Sequence, residues 1–389
     1  MGNAGSRQVE GLPGSDTGMR ANDPDDRNTF LSGRMDLSWR RRLSPKLFLS
    51  LRYGNSKVNN ETFKSDDIDL ISVTDSFKNE NTEYELRADF HYNNELNFIF
   101  GGFTSRSAPY SHEIYEDFFG PIITEEEELY KQKNAYLLAR YQYNPKLRFI
   151  CGFENSFHNV VGSNQLTRFG FTYRADDRTT VRYINREYFK LSYFPRYQQR
   201  DEWTYLNDGD ITTPGTESKH QELSFEKRLQ DGSFFRLTGF RRKNWVYSPS
   251  SDFIDVSQIT EQSGYNVEYE RQLSSQLNAF VAVAHNKTTQ ITPGNTNDGM
   301  LIPYAPTNDY SVGLYYFPNS RTTMKFVHNK YGSRFINASN TEEIDSFSTT
   351  DIQIRYDPTI SVSWLFTIRN LFDEEYVFIK NYPEPGIRY

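Results

Sequence analysis

The sequence predicts an all-β chain of antiparallel strands, and three observations carry that prediction. Apolar and polar residues alternate with period two in run after run, as in a strand with one face against something apolar. Short turns of about two to four residues alternate with stretches that mostly run to about ten to thirty. Aromatic residues make up 16% of the 389 residues, an excess that favours strands over helices. Alternation alone fits a soluble sandwich, with the apolar face in a core, or a membrane barrel, with that face turned to lipid. Asymmetric connections favour the barrel, with short turns on the periplasmic side and long loops outside. So do aromatics at or near strand ends (Tyr53, Tyr92, Tyr143, Tyr173, Tyr316, Phe317, Tyr331 and Tyr356), where an interfacial girdle would lie.

Taken in order, residues 1–28 are rich in Gly, Asp, Asn and Pro and read as loop. About sixteen strands follow, mostly in pairs. Leu31–Arg40 and Leu47–Tyr53 flank Ser44-Pro45, and a long loop is expected over 54–81. The next strand alternates most cleanly: Tyr84, Leu86, Ala88, Phe90 and Tyr92 share one face, and Glu83, Glu85, Arg87, Asp89 and His91 the other. It turns at Asn93-Asn94 into Leu96–Thr104, and a long insertion is expected over 105–132, with a helical look in the Glu-rich run Thr124–Gln132. Further pairs turn at Asn144-Pro145, Asp176-Asp177, Asp231-Gly232, Ser274-Ser275, Pro318-Asn319 and Asp357-Pro358. The last strand places Ile360, Val362, Trp364, Phe366 and Ile368 on one face.

Composition narrows the function classes. A net charge of -7 argues against broad nucleic-acid binding. Mean hydropathy is -0.75, and no apolar run of about 18 residues suits a transmembrane helix, although a barrel hides its hydrophobicity by alternating. The single cysteine, Cys151, excludes an intramolecular disulfide framework and reads as a small buried or lipid-facing group. The first residues carry no basic region followed by an apolar core. Nucleophile-elbow, zincin, P-loop and dinucleotide motifs are lacking, so no enzyme activity and no cofactor is expected. Six dispersed histidines show no metal-ligand spacing, and His91, His285 and His328 read as groups of the strand walls. The carboxylates Asp66, Asp67, Asp69 and Glu125–Glu128 offer oxygen ligands for Ca²⁺, but a solvated charge run is the commoner case. The aromatics of the long insertion, Tyr110, Tyr115, Phe118 and Phe119, are candidates for a ligand-gripping rim, with packing between loops as the alternative.

The most specific stretch is the tail. Its strand leads into Asn370-Leu371-Phe372-Asp373-Glu374-Glu375-Tyr376, then Tyr382-Pro383-Glu384-Pro385-Gly386. This combination resembles the C-terminal signature of TonB-dependent outer-membrane receptors, in which Asn370, Leu371, Phe372, Asp373, Tyr376, Tyr382, Pro383, Pro385 and Gly386 occupy the motif positions. Ile387 intervenes before Arg388, where the family has Arg directly after the glycine. The likeness extends back through PGTESKHQELSFEKRL, GYNVEYERQL and IPYAPTNDYSVGL. It implies a partial transmembrane antiparallel β-barrel over 29–389, with 1–28 a loop or a remnant of upstream wall. It implies outer-membrane lipid, the TonB energy-transducing complex and a scarce small-molecule or metal-chelate ligand as partners. A siderophore, a corrinoid or a glycan would fit, with a passive porin or a soluble or surface β-sheet binding protein as rivals. The family also carries a plug and a closing strand, to which nothing in the sequence corresponds, so the chain reads as a fragment. Unpaired edges are expected near Leu31–Arg41 and Ile360–Asn370.

Overall fold

A computed structural model describes residues 2–10, 27–66, 71–117, 120–127, 129–159, 162–190, 215–249, 254–380, 382–384 and 386–388. Eighteen strands form one antiparallel sheet. In chain order they begin with β1 (Gly2–Glu10), β2 (Arg27–Ser44), β3 (Leu47–Asp66), β4 (Ile71–His91), β5 (Leu96–Asp117) and β6 (Gly120–Glu127). The middle of the sheet is β7 (Tyr130–Asn144), β8 (Leu147–His158), β9 (Gly162–Arg174), β10 (Thr179–Lys190), β11 (Gly215–Arg228), β12 (Phe234–Pro249), β13 (Ile254–Ser274) and β14 (Leu277–Gln290). Then come β15 (Asn308–Asn319), β16 (Thr322–Tyr331), β19 (Phe347–Thr359) and β20 (Val362–Ile368). Two small ribbons lie outside the sheet, β17 (Arg334–Phe335) with β18 (Glu343–Ile344) and β21 (Val377–Ile379) with β22 (Tyr382–Pro383).

Every strand of the wall pairs with its sequence neighbour, apart from β5–β7 and β16–β19, which bypass the insertions between them. All sixteen predicted strands form. The turn residues act as expected: Asn144 Oδ1 accepts the N–H groups of Lys146 and Leu147 at 2.9 Å, and Asp231 Oδ1 accepts that of Ser233 at 3.0 Å. These bonds hold the carboxyl of Asp231, like that of Asp176 beside the Arg178 N–H, below the usual carboxylate range.

Burial is inverted relative to a soluble domain. Among the described residues seven apolar side chains are buried, against sixteen polar or charged ones. The predicted apolar face is the exposed one: Leu86 is 50% exposed, Val281 45%, Leu314 40% and Trp364 65%. Cys151 lies on this outer face too. Among the described residues there is no two-sheet core. Tyr92, Tyr143, Tyr173, Tyr316 and Tyr356, all exposed, sit beside the short turns as one girdle, and Tyr53 packs on Tyr84 at 5.2 Å higher up the wall.

Five expectations need correction. Of the two readings of residues 1–28, loop and wall, residues 2–10 overturn the first, because their backbone pairs with β2 from Gly2↔Met35 to Glu10↔Arg27 despite a loop-like composition. The first sheet edge is therefore β1 and not β2. The long loops over 54–81 and 105–132 are largely continuations of β3, β4, β5 and β7, with β6 added beside the upper part of β5. The Glu-rich run is extended rather than helical, since Thr124–Glu127 pair with Tyr110–Glu113. Finally, Tyr331 is not a girdle residue: it faces the interior and packs on Phe347 at 4.9 Å. Strands of 20 to 22 residues exceed the nine to eleven or so that cross a bilayer, so β3, β4 and β5 continue well beyond it.

Candidate functional site

The inner face is lined with charge, and most of it is paired along and across strands. Asp36 bonds Arg34 at 2.6 Å and Arg52 at 3.1 Å, and Asp89 bonds Arg87 at 2.9 Å with Arg40 at 3.7 Å. Glu226 takes Arg182 at 2.8 Å and Arg236 at 3.3 Å, and Arg236 reaches on to Glu268 at 3.0 Å. Such pairs add little where water reaches them, but here they satisfy charges carried on a sheet whose other face is apolar.

Aromatics pack flat against the wall where a cross-strand glycine leaves room. Phe280 lies over Gly313, its registered partner, where a Cβ would run into the ring. Tyr136 lies over Gly101 and donates its hydroxyl to Glu85 Oε1 at 2.8 Å. Next to that tyrosine a cavity of about 330 Å³ opens on the inner face, with Ile99, Phe103 and Leu138 in its floor and Arg87, Arg140 and Arg168 beside Glu85, Glu154 and Glu187 in its walls. A larger concavity, about 840 Å³, lies mostly between Trp39, Tyr53, Tyr84 and Leu86 on the lipid side and is no candidate for an aqueous ligand.

The rim aromatics are only partly brought together. Tyr110 lies in the extended β5–β6 hairpin, stacked with His112 at 6.5 Å, and His112 Nδ1 is 3.1 Å from Glu125 Oε1. Partial desolvation and Glu125 raise the Tyr110 hydroxyl above the ordinary tyrosine range. The backbone of Tyr115 pairs with Val73 and Ile122, while Phe118 and Phe119 lie outside the described residues. No cluster of three metal-ligating side chains occurs among the described residues; Asp67, Asp69 and Glu128 lie outside them. His285 and His328 bond Asn308 at 2.8 Å and Thr350 at 2.9 Å.

A second histidine environment escaped the sequence reading. His158 is buried at the top of β8, with Nε2 2.6 Å from Ser156 Oγ and its ring 4.2 Å from Phe189. It is the last of 12 residues in its strand, beyond the apolar belt, and burial pulls its pKa down to about 4. Little in the local sequence marks it, because beyond Ser156 its neighbours are Gln132 of β7 and Phe189 of β10.

The C-terminal signature is a single built turn. Asn370 adopts φ 51° and Asp373 φ 55°, the left-handed region that Asn and Asp tolerate best. The Asn370 amide is almost fully buried; its Oδ1 accepts the Glu374 N–H at 3.0 Å and its Nδ2 donates to the Glu374 carbonyl at 2.9 Å. The Leu371 N–H continues the ladder to the Thr350 carbonyl at 2.7 Å. Asp373 Oδ1 accepts the Ile387 N–H at 2.8 Å and lies where a Cβ on Gly386 would sit, which is why a glycine stands there. Tyr376 stacks on Phe347 at 4.4 Å, and Arg334 lies over both Phe347 and Phe378. Phe372 is exposed, only the backbone of Tyr382 and Pro383 is described, and Pro385 lies outside the described residues. Arg369 and Arg388 form an antiparallel bridge at the free side of β20.

Comparison with known proteins agrees with this architecture. Residues 2–371 match the family described as TonB dependent receptor-like, beta-barrel. The ferric yersiniabactin uptake receptor FyuA from Yersinia pestis superposes with a TM-score of 0.73 at 12% identity, covering 93% of this chain and 60% of that one. The copper transporter OprC gives 0.72 at 12%, with 94% and 71% covered, and the ferric citrate transporter FecA 0.70 at 13%, with 97% and 64%. The chain thus spans about three fifths to two thirds of the length of most of these structures. No curated protein sequence matches it. With a family model matching residues 2–371 and a wall whose apolar face is the exposed one, the chain belongs to the TonB-dependent receptor-like β-barrel family, whose members are outer-membrane transporters and not enzymes.

Proposed function

We propose that this chain is the transmembrane wall of an outer-membrane receptor that takes up a scarce ligand with energy from the TonB complex. The observation that carries the reading is the inverted wall: a lipid-compatible outer face backs a polar, charged inner face with a cavity large enough for part of a small molecule. Metal chelates are the ligand class we favour, since FyuA, FecA and OprC are described as handling ferric yersiniabactin, ferric citrate and copper. In such a receptor energy would enter through a plug domain lying inside the wall.

The test is growth on a scarce metal source. A strain carrying the gene in its native context should lose high-affinity uptake when the gene is deleted, and also when TonB is removed. Uptake that is retained without TonB, and is linear in ligand concentration, would instead identify a passive pore.

A further inference from the structure

One row of the inner wall breaks the rule of paired charges. Register aligns Arg168 on β9 with Arg186 on β10, His220 on β11 and Arg242 on β12, so three guanidiniums and an imidazole face the interior side by side. Neighbouring strands lie about 4.8 Å apart, so the row spans roughly 14 Å. Like charges directly opposite each other destabilise a sheet. One rung nearer the periplasmic turns lies Glu222, which sits 3.3 Å from His220 Nε2, and β10 to β13 carry the fully paired set of Arg182, Glu226, Arg236 and Glu268. Among the described residues, Arg168, Arg186 and Arg242 have no carboxylate partner.

Among the described residues Glu222 is the one carboxylate in contact with the row, through His220, and Glu154 and Glu187 line the cavity that Arg168 borders. One rung outward, Ser218 donates to Asn244 at 2.6 Å and Asn244 to Thr260 at 3.1 Å, so that rung is spent on itself. Gln262, registered with Arg242, donates to Asn286 at 2.9 Å. His220 is 4% exposed and its Nδ1 has no hydrogen-bond partner; the Nε atoms of Arg186 and Arg242 also lack one. Arg186 lies over the Tyr188 ring at 5.8 Å. Arg168 is exposed and borders the 330 Å³ cavity, which gives the row an open approach.

We infer that the Arg168–Arg186–His220–Arg242 row is an oxyanion seat on the inner wall, taking a small ligand with two or more carboxylate or phosphate groups. Planar guanidinium forks match such groups bidentately, and spacing along the row suits two or three of them rather than one. Contact is through the terminal guanidinium nitrogens, since the Nε atoms are shielded. The seat rests on the inward orientation of these strands and not on energised uptake, so a failed uptake assay leaves it standing.

Purified full-length chain in detergent is titrated calorimetrically with pyrophosphate and, separately, with tricarballylate at low salt. Saturable binding is expected for at least one probe, weakened tenfold or more in Arg186→Gln/Arg242→Gln and at least twofold stronger in Glu222→Gln. Arg182→Gln, from the paired set, should stay within twofold. If the double variant does not give a folded band, Arg186→Lys/Arg242→Lys serves: charge without the fork should lose at least threefold. Absence of saturable binding, equal affinity in wild type and double variant, or displacement of the probes by an oligoglutamate peptide at far lower concentration would overturn the assignment.

Discussion

Replacing Asn370 by alanine removes the centre of the C-terminal turn, and its cost can be worked from the structure. Two hydrogen bonds to the Glu374 backbone are lost, each with a net value of about 0.5–1.5 kcal/mol. The left-handed backbone at φ 51° adds about 1–2 kcal/mol for a residue with a Cβ and no local polar side chain. Glu374 is itself exposed, so water recovers part of the hydrogen-bond loss, and the expected total is about 2–3 kcal/mol. Asn370→Gly separates the two effects: it loses the same bonds but relieves the backbone, and should be about 1 kcal/mol less destabilised than alanine. The assay is urea-driven unfolding in lipid vesicles, followed by tryptophan fluorescence, with Trp364 as reporter on the adjoining strand. An alanine variant within about 0.5 kcal/mol of wild type, or a glycine variant less stable than alanine, would refute the assigned role of the turn.

Leu86→Arg, on the outer face near mid-belt, should cost about 2–4 kcal/mol in lipid, while Glu85→Arg on the inner face should cost clearly less; both are read from the same unfolding curves. Gly313→Ala should lower the thermal midpoint of the folded gel band by several degrees, because the added Cβ meets the Phe280 ring, and Phe280→Ala should recover part of the loss in the double variant. His158 gives a pH signature. Its folded-state pKa is pulled down to about 4, below the ordinary 6.5, so the unfolded chain takes up the proton first and stability falls as pH drops from about 6.5 towards 4. His158→Leu should flatten that part of the stability–pH curve, and an unchanged slope would remove the imidazole as its source.

The membrane-crossing parts of the strands were legible because lipid enforces alternation: Tyr84, Leu86, Ala88, Phe90 and Tyr92 must face one way. Above the bilayer both faces of a hairpin meet water, so nothing enforces the pattern, and stretches such as Asn55–Asn60 and Ser105–Glu113 read as loop while pairing as strand. The Glu125–Glu127 segment looked helical by propensity, but its backbone partners on β5 decide otherwise. In the tail, the turn-forming roles of Asn370 and Asp373 follow from their chemistry. The bond from Ile387 to Asp373 does not, since it joins residues separated by a second ribbon. The inner-wall arginine row was illegible for the same reason as His158: Arg168, Arg186, His220 and Arg242 lie on four different strands, and only the register brings them to one height.

The account rests on which face of the wall meets lipid, and an accessibility scan along β14 tests that most directly. With Cys151 replaced by serine, single cysteines at successive positions from Leu277 to His285 would carry spin labels in reconstituted vesicles. Labels at Ala279, Val281 and Val283 should be relaxed by oxygen dissolved in lipid, and those at Asn278, Phe280, Ala282 and Ala284 by a water-soluble nickel chelate. A scan without this two-residue period, or with its phase reversed, would contradict the transmembrane wall.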